Sequence, residues 1–443
     1  MMINKYIRVI LSSCMLIIAS CRTTDKLTSV ATFSEHALSK WNKKLTRVII
    51  SDVFSPPVCS RIYAYTNIAA YEALIPSDSS HQSFAGKLND LKPSPLPKNK
   101  KSINYEMASV IAFSTVSEKL LFNTEAMKEM EDEYLRQIDS IGIPDEVKNA
   151  TLDYGRAVGK HIIEWASRDG YLQRNSNPFF FVTKDPARWK PTPPDYTDAI
   201  EPNWGTLRPF AIDSSSQFRP AGPLKFDTSS KSEIYKEAMD VYNAVSNPGS
   251  NFRDIATYWD CNPNVSVTSG HVTYFQQQVS PGGHWIYIAT SVAEKEKFNS
   301  IQTASLIAKV AVAIADGFIS CWEAKFKYAS IRPETYINLY IDKEWKPFIQ
   351  TPPFPEYPSG HSVISSCAAT MLTHLLGDNY AFTDSAEVDF GRPPRSFKSF
   401  REASNEASIS RLYGGIHFLT ALNNGIEEGR NVATYIVKKL NQP

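Results

Sequence analysis

Apolar positions recur at three- and four-residue spacing through most of this chain, the pattern of helices that bury one face. Such stretches run over residues 34–51, 58–74, 104–141 and 144–171 and resume at 231–246. Residues 301–323 then read as an apolar helix. Residues 362–376 read as a helix of small and apolar side chains stopped by Gly377, and residues 419–440 as a closing helix. Between the two halves, residues 175–230 carry Pro178, Phe179, Phe180, Phe181, Pro186, Trp189, Pro191, Pro193, Pro194, Trp204 and Pro209. So many aromatic rings pack, which predicts a long ordered loop and not a flexible linker. The expected fold is all-α, built from helical bundles with one long Pro/aromatic-rich loop.

The first residues differ in kind. Lys5 and Arg8 precede an apolar run from Val9 to Ala19, so residues 1–20 read as an export signal. Ile18-Ala19-Ser20-Cys21 resembles a bacterial lipobox, whose cysteine is acylated; an ordinary signal peptide is the alternative. Residues 21–33 would be a tether, 34–230 an N-terminal helical region with the loop, and 231–443 a C-terminal catalytic region. Localisation follows as exported, periplasmic or anchored in the envelope, with membrane contact only through a lipid at Cys21. No later run of 18 apolar residues is unbroken, so no membrane-spanning helix is expected.

Charge narrows the partners. The 47 Lys and Arg balance 46 Asp and Glu without any basic block, which argues against nucleic acid. Of six cysteines, Cys14 and Cys21 fall in the leader, leaving Cys59, Cys261, Cys321 and Cys367. They lack zinc-type spacing, and export would permit disulfides in any of three pairings. Cys321 and Cys367 lie in apolar helices and read as small buried residues.

The candidate chemistry sits in three C-terminal segments: Lys325-Phe-Lys-Tyr-Ala-Ser-Ile-Arg332-Pro333, Pro358-Ser359-Gly360-His361 and Ser410-Arg411-Leu-Tyr-Gly-Gly-Ile-His417. Lys325, Arg332 and Arg411 offer fixed positive charge, and a guanidinium fork suits a many-oxygen anion. Ser359 and Gly360 offer a hydroxyl and an approachable N–H at a helix N-terminus, where the dipole also favours an anion. His361 and His417 can serve as acid, base, nucleophile or metal ligand. Pro333 pushes Arg332 out of the α region, so Lys325 at a helix end and Arg332 at its exit can face one cavity. Gly414-Gly415 permits a break that would set His417 near the start of the last helix.

In order and spacing these segments resemble the vanadium-dependent haloperoxidases and the type 2 phosphatidic acid phosphatases, which share one oxyanion site. The resemblance is strong over residues 322–417. It implies two four-helix bundles and a site for vanadate, which phosphate can also occupy. His417 matches the residue that bonds vanadium, or the phosphatase nucleophile that becomes phosphohistidine. Lys325, Arg332 and Arg411 match the charge-neutralising cations, with Lys325 also implied as a catalytic residue that polarises peroxide, Ser359 and Gly360 match the hydroxyl and amide donors, and His361 the acid–base residue. The implied function is a haloperoxidase oxidising halide with hydrogen peroxide. An acid phosphatase acting on a phosphate ester through the same pocket is the alternative, and a non-catalytic oxyanion-binding lipoprotein a second.

Other positions bear on which chemistry applies. Trp322 shares a helix face with Lys325 and matches a residue lining the halide site. Phe354 occupies a position that is often Phe in chloride- or iodide-oxidising enzymes and His in bromide-oxidising ones, so iodide is favoured. Upstream, Ala256-Thr-Tyr-Trp-Asp260 and Pro281-Gly-Gly-His284-Trp285 resemble bacterial haloperoxidase-like segments. Asp260 is a candidate to orient Arg411, or alternatively a cap for the turn at Asn262-Pro263. His284 reads as structural.

Overall fold

A computed structural model describes residues 36–178, 180–263 and 265–442. The export signal, Cys21 and the tether all lie outside the described residues. Within them, the chain forms thirteen helices and two short hairpins. Helix α1 (Ala37–Ser51), α2 (Pro56–Leu74), α3 (Tyr105–Leu120), α4 (Glu125–Ile141) and α5 (Asp145–Ala166) precede the loop. After it come α6 (Glu233–Ser246), α7 (Phe252–Tyr258), α8 (Pro281–Lys295), α9 (Ser300–Tyr328) and α10 (Pro333–Tyr340). Helix α11 (Gly360–Leu376), α12 (Phe400–Tyr413) and α13 (Leu419–Leu440) complete the set.

The organising element is α9. Asn299 and Gln302 start it with reciprocal side-chain caps, and nearly all of its length is buried. It packs with α2, against which α3 and α5 lie, with α8, and with α11 and α13, where α12 lies against α11. The main core therefore runs continuously across residue 230. A smaller apolar cluster joins α6 and α10 to the start of α13. Helix α9 is long and apolar enough to cross a membrane, but 94% of that stretch is buried against protein. It is the core helix around which the two groups assemble.

Three features depart from the sequence reading. The segment 104–141 is two helices, because Leu121 turns extended and the Asp52 carboxylate accepts the freed N–H groups of Phe122 and Asn123. Helix α9 continues past residue 323 to Tyr328, its last turn closing with Ala329 in the left-handed region at φ 45°. Two antiparallel hairpins also form: β1 (Ser266–Ser269) with β2 (Val272–Phe275), and β3 (Phe382–Asp384) with β4 (Arg395–Phe397). Strands of three or four residues are too short to show a period of two.

The Pro/aromatic loop is ordered by buried anchors. Asp316 on α9 accepts the backbone N–H groups of Phe210, Ala211 and Ile212 at 2.6, 2.7 and 2.9 Å. Further along, Trp189 N–H donates to the Ala329 carbonyl and Ile200 N–H to that of Pro353. The loop thereby roofs the C-terminal end of α9, where the candidate residues lie.

One buried acid in this core sets a pH test. Glu428 on α13 accepts from Ser320 Oγ on α9 at 2.6 Å, while its other oxygen has no partner among the described residues. Burial pushes its carboxyl up to about 8, with Ser320 pulling the other way. A carboxyl raised in the fold stabilises fully below its unfolded value, and that contribution is lost as pH rises through its folded value. Glu428→Gln should therefore lose less thermal stability than the parent between pH ~5 and ~8.5. Parallel curves of melting temperature against pH would show that Glu428 is not the group responsible.

Candidate active site

The three C-terminal segments meet at the end of α9. Ser359 caps α11, its Oγ accepting from Ser362 N–H at 3.4 Å, so Gly360 and His361 form that helix's first turn. A Cβ on Gly360 would stand 3.6 Å from the Trp322 ring and 3.9 Å from Lys325 Cε, ordinary contact that would fill space beside both. Arg332 is the residue before α10, extended as Pro333 requires. After α12, Gly415 at φ 85° turns the chain back, and Ile416 N–H bonds the Arg411 carbonyl. That turn brings His417 into the cavity two residues before α13.

His417 is held from both sides. Its Nδ1 lies 2.9 Å from Glu356 Oε1, which also accepts Phe418 N–H at 3.0 Å. A carboxylate acceptor there fixes the proton on Nδ1 and leaves Nε2 as the lone-pair nitrogen, the tautomer a metal ligand needs. Nε2 faces Arg332 Nη1 at 3.2 Å. Burial, then the charges of Arg332 and Lys325, hold His417 well below the ordinary histidine range, so the ring is neutral. Burial pushes Glu356 up to about 7, with Arg332 and Lys325 pulling it back.

His361 is fully buried as well. It bonds the Trp259 carbonyl, while its Nε2 has no partner among the described residues. A carbonyl only accepts, so Nδ1 carries the proton and Nε2 is the free acceptor. Burial and the Arg411 charge hold this ring, too, well below its ordinary range.

The cations are arranged unequally. Arg411 donates to the Trp259 carbonyl at 2.7 Å and approaches Asp260 Oδ1 at 3.5 Å, but its Nε is buried with no partner among the described residues. Arg332 donates to the carbonyls of Phe354 and Ile416, leaving Nη2 buried with no partner among the described residues. Lys325 is different: its ammonium donates to the carbonyls of Pro355, Glu356 and Pro358 at 2.9, 3.0 and 2.5 Å. Burial lowers it to about 8, so it remains largely charged at neutral pH. In this state Lys325 orders the segment that carries Glu356 and Ser359.

The aromatic residues wall the same space. Trp322 and Phe354 rings are 5.0 Å apart, and Lys325 Nζ and Arg332 Cζ each lie 5.1 Å from the Phe354 centroid. A cavity is lined by Trp322, Phe354, Gly360, His361, Arg411 and His417 together with Phe318 and Cys261. Glu356 and the Trp259 carbonyl were not singled out by the sequence reading. A glutamate inside the run Pro352-Pro-Phe-Pro-Glu-Tyr-Pro358 was the available signal.

Unpaired, buried nitrogens on Arg332, Arg411 and His361 beside a lone-pair histidine define a site for a tetrahedral oxyanion within a helical-bundle fold. Vanadate fits that donor set, as would phosphate. Residues 305–443 match the VCPO second helical-bundle domain family. The solved structure of the first bacterial vanadium-dependent iodoperoxidase is 42% identical, aligning over 91% of this chain and 95% of that one with a TM-score of 0.85. The chain belongs to the vanadium haloperoxidase superfamily. Bacterial vanadium-dependent chloroperoxidase in holo and apo forms shares the fold at 14% and 15% identity, with TM-scores of 0.66 and 0.64. The holo form aligns over 88% of this chain and 94% of its own, the apo form over 87% and 95%. No curated protein matches.

Proposed function

We propose that this protein is a vanadate-dependent haloperoxidase that uses hydrogen peroxide to oxidise halide, iodide before bromide. The observation that carries the reading is the set of unpaired buried nitrogens of Arg332, Arg411 and His361 beside His417 Nε2. Vanadate held there by His417, Arg332 and Arg411 would supply Lewis-acid activation of peroxide. Arg332 and Arg411 neutralise oxyanion charge, and Glu356 keeps the His417 lone pair available. His361 Nε2, unprotonated and aimed at the cavity, takes a proton from incoming hydrogen peroxide. Trp322, Phe318 and Phe354 exclude water and offer iodide, the largest and most polarisable of the three halides, an apolar wall. A phosphatase would need His361 protonated to serve its leaving group, which its burial disfavours.

Steady-state rates with vanadate-loaded enzyme test this. Iodide should be fastest, bromide weak and chloride near background. A bromide rate equal to the iodide rate would overturn the assignment of Phe354. Phosphate should compete with vanadate, and the vanadate-free protein should hydrolyse phosphate esters slowly. Ester turnover exceeding iodide turnover would reverse the choice of reaction.

Glu356 provides a separate check. Glu356→Gln should weaken vanadate binding roughly 10–100-fold, as removal of a carboxylate behind a metal-bound histidine does. Parent affinity should fall as pH drops through about 7, where the carboxyl takes up a proton, while the variant stays flat. A variant with parental affinity and profile would remove Glu356 from the site.

Export and lipid anchoring at Cys21 belong to the same proposal, supported by the lipobox-like sequence. Cys21→Ala should move the protein out of the membrane fraction; unchanged fractionation would refute the anchor.

A further inference from the structure

Beside the cavity, sharing Cys261 with its wall, lies a second cluster that halide oxidation does not use. Cys261 follows α7, His284 sits in the first turn of α8, and Glu387 follows β3; all three are buried. Cys261 Sγ is 3.5 Å from His284 Nδ1 and 3.8 Å from Glu387 Oε1, and Nδ1 is 3.0 Å from Oε1. Tetrahedral zinc with ordinary bond lengths would set these edges at about 3.6, 3.6 and 3.4 Å. The triangle is thus within a few tenths of an ångström of a metal's own.

A second observation points the same way. His284 Nε2 lies 2.6 Å from Asp384 Oδ2, and Asp384 Oδ1 is fixed by Ala386 N–H at 2.9 Å. A carboxylate on the far nitrogen is the arrangement that orients a metal-bound imidazole and raises its basicity. The ring is held rigidly besides, with Trp259 stacked on it at 4.6 Å.

We propose that Cys261, His284 and Glu387 bind a zinc-class divalent cation, with Asp384 orienting His284. Thiolate, imidazole and carboxylate together suit a borderline-soft ion such as zinc and not magnesium or calcium. Both ring nitrogens of His284 face carboxylate oxygens, at 3.0 and 2.6 Å, so Nδ1–H and the Cys261 thiol each give up a proton when one cation takes their place. The role is positioning. The cation would tie residues 259–261 to α8 and the β3–β4 region, fixing the Trp259 carbonyl that His361 and Arg411 share.

The test uses the full chain, stripped with a chelator and then titrated with zinc and with cobalt(II). One equivalent should bind, with release of about two protons, and cobalt should give a thiolate charge-transfer band in the near ultraviolet. Cys261→Ser, close in size, should lose that band and the stoichiometric zinc. Asp384→Asn should keep the band and bind roughly 10–100-fold more weakly. His417→Ala should bind zinc as the parent does, which separates this site from the oxyanion site. Failure of the folded parent to take up either metal, or equal uptake by Cys261→Ser, would overturn the proposal and leave a buried imidazolium between two carboxylates.

Discussion

Replacing His417 with alanine is expected to abolish tight vanadate binding. The imidazole offers the one lone-pair nitrogen that Glu356 has oriented for the purpose, and the neighbouring cations cannot substitute. Arg332, Arg411 and Lys325 only attract or donate. Phosphate needs no bond from the histidine before reaction, so its affinity should change by no more than several-fold in the same variant. Vanadate should drop to the level of phosphate. Glu356 Oε1 would lose one of its two donors and keep Phe418 N–H, so a modestly lower melting temperature is also expected. Added imidazole, entering the space the side chain vacates, should restore part of the vanadate affinity. Calorimetric titration of both anions, with and without imidazole, decides the matter. Parental vanadate affinity in a folded variant would show that the anion site lies elsewhere.

Much of this site could be read from sequence because its signals are local. Ser359-Gly360-His361 precede an apolar helix, Pro333 forces Arg332 into the extended conformation, and Gly414-Gly415 releases His417 from the line of α12. Each is a backbone statement that a few neighbouring residues determine. What could not be read is what lies across long separations. Glu356 and His417 are 61 residues apart, and His284 and Glu387 are 103 apart. No period or spacing rule links them; only packing does. Zinc-type spacing failed for the same reason at Cys261, whose neighbours arrive from α8 and the β3–β4 region.

The end of α9 shows a different limit. Glu323, Lys325 and Lys327 interrupt the apolar pattern and suggested an earlier stop. Lys325 is nevertheless buried, because three carbonyls of the 355–358 segment meet its ammonium. A charge that tertiary structure satisfies looks, in sequence, like a solvated one. The break between α3 and α4 was hidden similarly, since Asp52, just after α1, stabilises it.

His361→Ala should leave vanadate in place and slow the reaction. Arg332, Arg411 and His417 still hold the anion, so affinity is expected to change by no more than several-fold. Loss of acid–base assistance removes roughly 10²–10⁴ from turnover. The fall should appear in kcat for peroxide-dependent iodide oxidation, with KM for iodide little altered, because Trp322 and Phe354 remain. His361→Gln separates basicity from space: its amide can fill the position and bond the Trp259 carbonyl, but it cannot take a proton. It should be nearly as slow as alanine. The limb of the kcat profile set by His361 should vanish in both variants, a change that a purely structural histidine would not produce. Near-parental turnover in His361→Gln would assign the proton transfer to another group. Vanadate affinity lost along with turnover would instead make His361 part of the anion's grip and not of its chemistry.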